Sequence, residues 1–110
     1  MDKGNALDAF AALSQATRLD VFRLLIKAGE PGMSAGDIGQ TLDVRQNTMS
    51  TNLAILARAG LIRSEREGRS IRYFADMDGM RGLLAFLMED CCGGRPELCQ
   101  PVINELACAC

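Results

Sequence analysis

Apolar positions recur along most of the chain at intervals of three and four, the spacing that places side chains on one face of a helix. Residues 6, 7, 9, 10 and 13 predict a first helix over Ala6–Leu13. Ser14 and Thr17 are candidate caps for a second, from about Ala16 to Ala28, with Leu19, Phe22, Leu25 and Ile26 on its stripe. Gly29-Glu30-Pro31-Gly32 stops it. Ser34-Ala35-Gly36-Asp37 resembles a capping box with Asp for Glu, and opens a short helix to about Leu42 that packs through Ile38 and Leu42. After the tight link Asp43-Val44-Arg45, a further helix is predicted over Gln46–Ala59, with Met49, Leu53, Leu56 and Ala57 inward and Gly60 at its C′ position.

Period two then replaces the helical period. Residues 61–75 predict two short strands turning at Gly68, with Ile71, Tyr73 and Ala75 alternating on one face. Asp76 caps a last long helix from about Met77 to Cys91, striped by Met80, Leu83, Leu84, Leu87 and Met88. Gly79 and Gly82 weaken this helix, so packing must hold it. Gly93-Gly94 ends it, and Pro101 is the expected start of a short terminal helix with Val102, Ile103 and Leu106 inside. The fold class is therefore mainly α with a small β-hairpin. A short helix, a tight turn, a second helix and a hairpin make a winged helix-turn-helix.

Composition adds bounds. The 110 residues suit one compact domain, and 24% charged with 48% hydrophobic residues is an ordinary globular mixture. The longest clean apolar run, Leu83 to Met88, is far short of the ~20 residues of a membrane span. No signal-peptide stretch follows Met1, so the expectation is a cytoplasmic protein with reduced thiols and no membrane partner.

The net charge of −2 conceals a sharp segregation. Residues 45–72 hold six arginines and two glutamates, while both flanks are acidic. A basic segment on the helix-turn-helix unit is suited to a polyanion. Gln46, Asn47, Thr48, Ser50, Thr51 and Asn52 give the second helix of the motif a polar, short-chained start suited to phosphate and base-edge hydrogen bonds. Arg45, Arg63, Arg66, Arg69 and Arg72 surround it and would supply phosphate contacts. The expected partner is double-stranded operator DNA.

The same residues resemble the ArsR/SmtB family of repressors. Leu13-Ser14-Gln15-Ala16-Thr17-Arg18-Leu19-Asp20-Val21-Phe22-Arg23-Leu24-Leu25 is similar to the family's opening helices, residues 44–62 to its recognition helix, and Glu67-Gly68-Arg69-Ser70-Ile71-Arg72-Tyr73 to its wing. The resemblance covers roughly residues 7–92. It implies a homodimer through the first and last long helices, bound to an inverted repeat and released by a metal or metalloid. This chain departs from the family pattern in having Thr51-Asn52 for the usual Arg-His and Arg45 for the usual serine cap.

Cysteine sharpens the chemistry. All five cysteines fall in the last twenty residues, and there is no histidine. The family's acid-and-histidine zinc site cannot be built, and residues 33–38 lack the cysteines of one arsenic-binding variant. Cys91-Cys92 followed by Cys99 resembles another variant, and the resemblance implies trivalent arsenic or antimony as inducer, with no organic cofactor. Helical spacing supports it: Cys91 and Cys92 each lie four positions after a stripe residue, Leu87 and Met88. Gly93, Gly94 and Pro96 allow Cys99 to return toward them. Three thiolates suit a soft pyramidal centre. Zinc would want a fourth, which Cys108 or Cys110 would have to supply.

These readings divide the chain into a DNA-binding and dimerisation domain, 1–92, and a cysteine-rich sensing segment, 93–110. The alternative is a thiol-redox repressor switched by a disulfide. No C-x5-R loop or C-x-x-C motif marks an enzyme. The methionines at 33, 49, 77, 80 and 88 read as packing.

Overall fold

The computed structural model describes residues 1–89, 93 and 95–106. Along the chain run α1 (Lys3–Leu13), α2 (Ala16–Ala28), β1 (Met33–Ser34), α3 (Ala35–Leu42), α4 (Gln46–Arg58), β2 (Ile62–Glu67), β3 (Ser70–Ala75), α5 (Met77–Leu87) and α6 (Pro96–Leu106). The winged helix-turn-helix order expected from the sequence is present, with more sheet than expected. β1 pairs antiparallel with β3 through Met33↔Tyr73 and Ser34↔Arg72, giving the order β1-β3-β2. A two-residue strand has no periodicity to read. Ser34 serves it and also caps α3, its hydroxyl accepting from the Asp37 amide at 3.1 Å.

The core is built around Val21, Phe22 and Leu25 of α2, Ile38 of α3, and Met49, Leu53 and Leu56 of α4. Leu61, Ile62 and Leu83 close it. Each such aliphatic or aromatic side chain contributes roughly 1.5–3 kcal/mol by leaving water. On α2 the buried set differs from the expected stripe: Val21 is inside, whereas Leu19 and Ile26 are exposed. Ala57 likewise faces outward from α4.

Helix α1 buries its alanines, Ala6, Ala9 and Ala12, and leaves Leu7 and Phe10 exposed. It begins earlier than expected because the Asp2 carboxylate accepts from the Asn5 amide at 2.7 Å. The cap of α2 is neither Ser14 nor Thr17 but Gln15, whose side-chain oxygen accepts from the Arg18 amide at 2.8 Å.

Asp76 caps α5 as expected, accepting from the Gly79 amide at 3.0 Å. Gly79 has a packing reason: a Cβ there would collide with the carbonyl oxygen of Gly60. The helix closes at Leu87 with Met88 as cap, short of the expected end at Cys91. Glu89 follows, and an acid at a helix C-terminus opposes its dipole.

Helix α6 begins at Pro96, so Pro101 lies inside it rather than at its start. Val102, Ile103 and Leu106, expected inside, are exposed, and Cys99 is the buried residue of the helix. No helix among the described residues is long and apolar enough to cross a membrane.

Candidate nucleic-acid interface

The turn between α3 and α4 sets the geometry of the site. Asp43 ends α3 with φ 56°, a left-handed conformation that a short polar side chain tolerates. The Val44 amide bonds back to the Gly39 carbonyl at 2.9 Å. Gly39 lets the helices close on each other, because a Cβ there would meet the Gln46 side-chain nitrogen and, at 2.9 Å, the Val44 carbonyl oxygen. The Gln46 amide nitrogen donates to the Ala35 carbonyl at 3.2 Å. Gln46 therefore braces the motif as well as lying exposed at the start of α4.

Arg45 occupies the N-cap position of α4 without a side-chain cap bond, and the first turn carries no acid. The positive end of the helix dipole is thus left for an anion such as a backbone phosphate. Asn47 accepts from the Thr48 amide at 2.8 Å, and the Thr51 hydroxyl donates to the Asn47 carbonyl at 3.2 Å. Arg45, Gln46, Asn47, Thr48, Ser50 and Thr51 are all exposed. The structure brings these six together on one surface.

Asn52 is a correction. It is only 6% exposed, and its Oδ1 accepts from an Arg18 guanidinium nitrogen at 3.2 Å. Periodicity carried the signal, because Asn52 falls on the inward stripe with Met49, Leu53 and Leu56. Its side chain holds α4 from behind instead of facing a groove. Arg18 and Gly39, the positioning residues on the other side of these contacts, were not singled out by the sequence reading.

The hairpin sorts its arginines in the same way. Arg66 pairs with Ile71, and Glu65 with Arg72, so Arg66 and Arg72 lie on opposite faces. Arg72 donates to the carbonyls of Pro31 and Gly32, both at 2.9 Å, and fixes the loop before β1. Arg63 pairs with Glu65 at 2.7 Å and lies 4.4 Å from the centroid of the Phe74 ring. Both were expected on DNA, and in this DNA-free structure each already has a partner within the chain. Arg66 and Arg69 are exposed and without an ion pair among the described residues.

Of the expected thiol site, Cys91, Cys92, Cys108 and Cys110 lie outside the described residues. Cys99 is 7% exposed and disulfide-bonded.

A helix start without an acid or an N-cap bond from Arg45, a polar exposed face and a basic wing together define a winged helix-turn-helix DNA-binding protein. Known proteins agree. A family model described as a helix-turn-helix domain matches residues 13–65. The chain is 32% identical over 93 residues to the HTH-type transcriptional regulator YbzH of Bacillus subtilis, spanning 74% of this chain and 93% of that protein. An ArsR-like transcriptional regulator from Rhodococcus sp. RHA1 is 26% identical with a TM-score of 0.71, covering 97% of this chain and 96% of that one. A homodimeric winged helix-turn-helix DNA-binding domain from Mycobacterium bovis, 23% identical with a TM-score of 0.64 over 79% of this chain and 81% of that one, shares the fold. The chain belongs to the HTH-type transcriptional regulators, a non-enzymatic class, and its fold is similar to that of an ArsR-like member.

Proposed function

We propose that the protein is a dimeric cytoplasmic repressor that reads an inverted-repeat operator. Residues 1–92 dimerise and bind DNA, and residues 93–110 sense trivalent arsenic or antimony through Cys91, Cys92 and Cys99. The exposed apolar side chains Leu7 and Phe10 of α1 and Leu84 and Leu87 of α5 support self-association, because each Å2 of such surface removed from water contributes roughly 25 cal/mol. Two-fold pairing would then set two copies of α4 about one DNA turn apart.

The observation that carries the sensing half is the burial of Cys99. It is the buried residue of α6, whereas Leu98, Val102, Ile103 and Leu106 are exposed. A helix anchored at a cysteine sulfur is one whose placement depends on the chemistry of that sulfur. Arsenous acid exchanges three hydroxyl groups for three thiols, releasing three waters and leaving a pyramidal As–S3 centre. Drawing Cys99 toward Cys91 and Cys92 would move the segment beside the end of α5 and misalign the two reading heads. A coupling of about 1–3 kcal/mol would weaken DNA binding about 5- to 150-fold.

The disulfide at Cys99 favours a second reading, in which two thiols are oxidised by a peroxide to a disulfide with release of two waters. One titration separates the two. Operator release by arsenite from fully reduced protein, abolished by Cys99→Ser, supports metalloid sensing. Release by peroxide, reversed by dithiothreitol and indifferent to arsenite, replaces it with the redox switch. Release by arsenite from Cys99→Ser at wild-type concentration would sink the three-thiol site.

A further inference from the structure

Asn52 is the one buried polar side chain among the described residues, and it is held by an arginine whose own position is unusual. Arg18 lies in the first turn of α2, where the helix dipole disfavours a cation. Its side chain leaves α2 and reaches the end of α1, donating from Nε to the Ala12 carbonyl at 2.7 Å. A second guanidinium nitrogen donates to Asn52 Oδ1 at 3.2 Å. The charge thus sits at the favourable C-terminal end of α1, and the flat fork of donors spans two acceptors on different helices.

Beside this bridge α1 meets α4 through small buried alanines, Ala9 and Ala12. A cavity of about 290 Å3 opens there, lined among others by Asp8, Ala11, Ala12, Arg18, Ile55 and Arg58. The α1 side lines it with the Asp8 carboxylate and two small alanine methyls, so large apolar side chains do not interdigitate there. A directional hydrogen bond can define the rotation of a helix where loose apolar packing cannot.

We infer that Arg18 is a positioning residue for DNA recognition: by bridging Ala12 of α1 to Asn52 of α4, it fixes the rotation at which α4 presents Asn47, Thr48, Ser50 and Thr51 to the groove. The inference rests on α4 being the reading helix. It also gives the bridge a second consequence. Because α1 carries the exposed Leu7 and Phe10, the bridge also gives a shift of α1 a directional route to α4 beside their direct packing.

The test uses the full-length reduced protein. Duplexes selected by the wild type from a random-sequence library provide the specific probe, and unselected duplex provides the non-specific one. The readout is the ratio of the two affinities, well below the melting temperature of every variant. Arg18→Lys keeps the charge but not the fork, and is expected to lower the ratio about 10-fold while non-specific binding and its salt slope stay unchanged. Asn52→Ala is expected to do the same, and the double variant to lose no more than either single one, because all three break one bridge. Asn52→Asp in the Arg18→Lys background should restore much of the ratio by forming a lysine–aspartate pair.

Additive losses, an unchanged ratio, or parallel falls in specific and non-specific affinity would each overturn the inference. So would a defect confined to Asn52→Ala, which would make Asn52 a direct base contact. A wild type that selects no sequence at all would overturn the reading-helix premise itself, an outcome distinct from these.

Discussion

Arg66 and Arg72 stand on opposite faces of the same hairpin, and what already holds each decides what its loss does. Arg66 and Arg69 are exposed with no ion-pair partner among the described residues. Arg66→Ala and Arg69→Ala should weaken binding to every DNA sequence alike, and each should reduce the slope of log affinity against log salt by about 1. Fluorescence anisotropy across a salt series measures this. Arg72 is engaged with two loop carbonyls, that of Pro31 exposed and that of Gly32 part-buried. Arg72→Ala should therefore cost about 1–3 kcal/mol of stability, because it leaves acceptors without a donor, and should barely alter the salt slope. A shift in the slope with unchanged urea denaturation would reverse that assignment.

Elements meet through close approaches that local sequence does not reveal. Gly79 and Gly82 look alike in the sequence of α5, and both lower its intrinsic helicity. Their surroundings differ: a Cβ at 79 would run into the Gly60 carbonyl, whereas one at 82 would meet only the Met1 side chain at 3.8 Å. Gly82→Ala should stabilise the protein by about 0.5–1 kcal/mol, and Gly79→Ala should destabilise it by about 1–3 kcal/mol despite the same propensity gain. Chemical denaturation monitored by circular dichroism gives both values, and equal effects would contradict the packing account.

At the scale of the whole molecule, the alanine face of α1 turns its large side chains outward. Leu7 is 57% and Leu87 50% exposed. If these cover each other's neighbours in a dimer, Leu7→Glu and Leu87→Glu should yield monomers with intact helical content. Operator affinity should then fall steeply, since each half-site would be bound alone. Sedimentation equilibrium beside a DNA titration tests this, and a charged variant that still dimerises would remove α1 and α5 from the interface.

Local pattern was enough for the class of the protein. The order of helices, the Ser34 and Asp76 caps, Gly60 after α4 and the turn at Gly68 all follow from contacts within a few residues, which a sequence records directly. So does the basic segment of residues 45–72, because charge is additive along the chain. Non-local contacts decided the rest. β1 exists only because Tyr73 and Arg72 pair with it. Arg63 and Arg72 have partners within the chain because Phe74 and the loop before β1 lie within their reach. Asn52 kept its place on the inward stripe because Arg18, distant in sequence, arrives to satisfy it. A buried amide without that partner would carry a desolvation cost of about 1–3 kcal/mol. Spacing along a helix states which way a side chain faces, and only the packed fold supplies what it finds there.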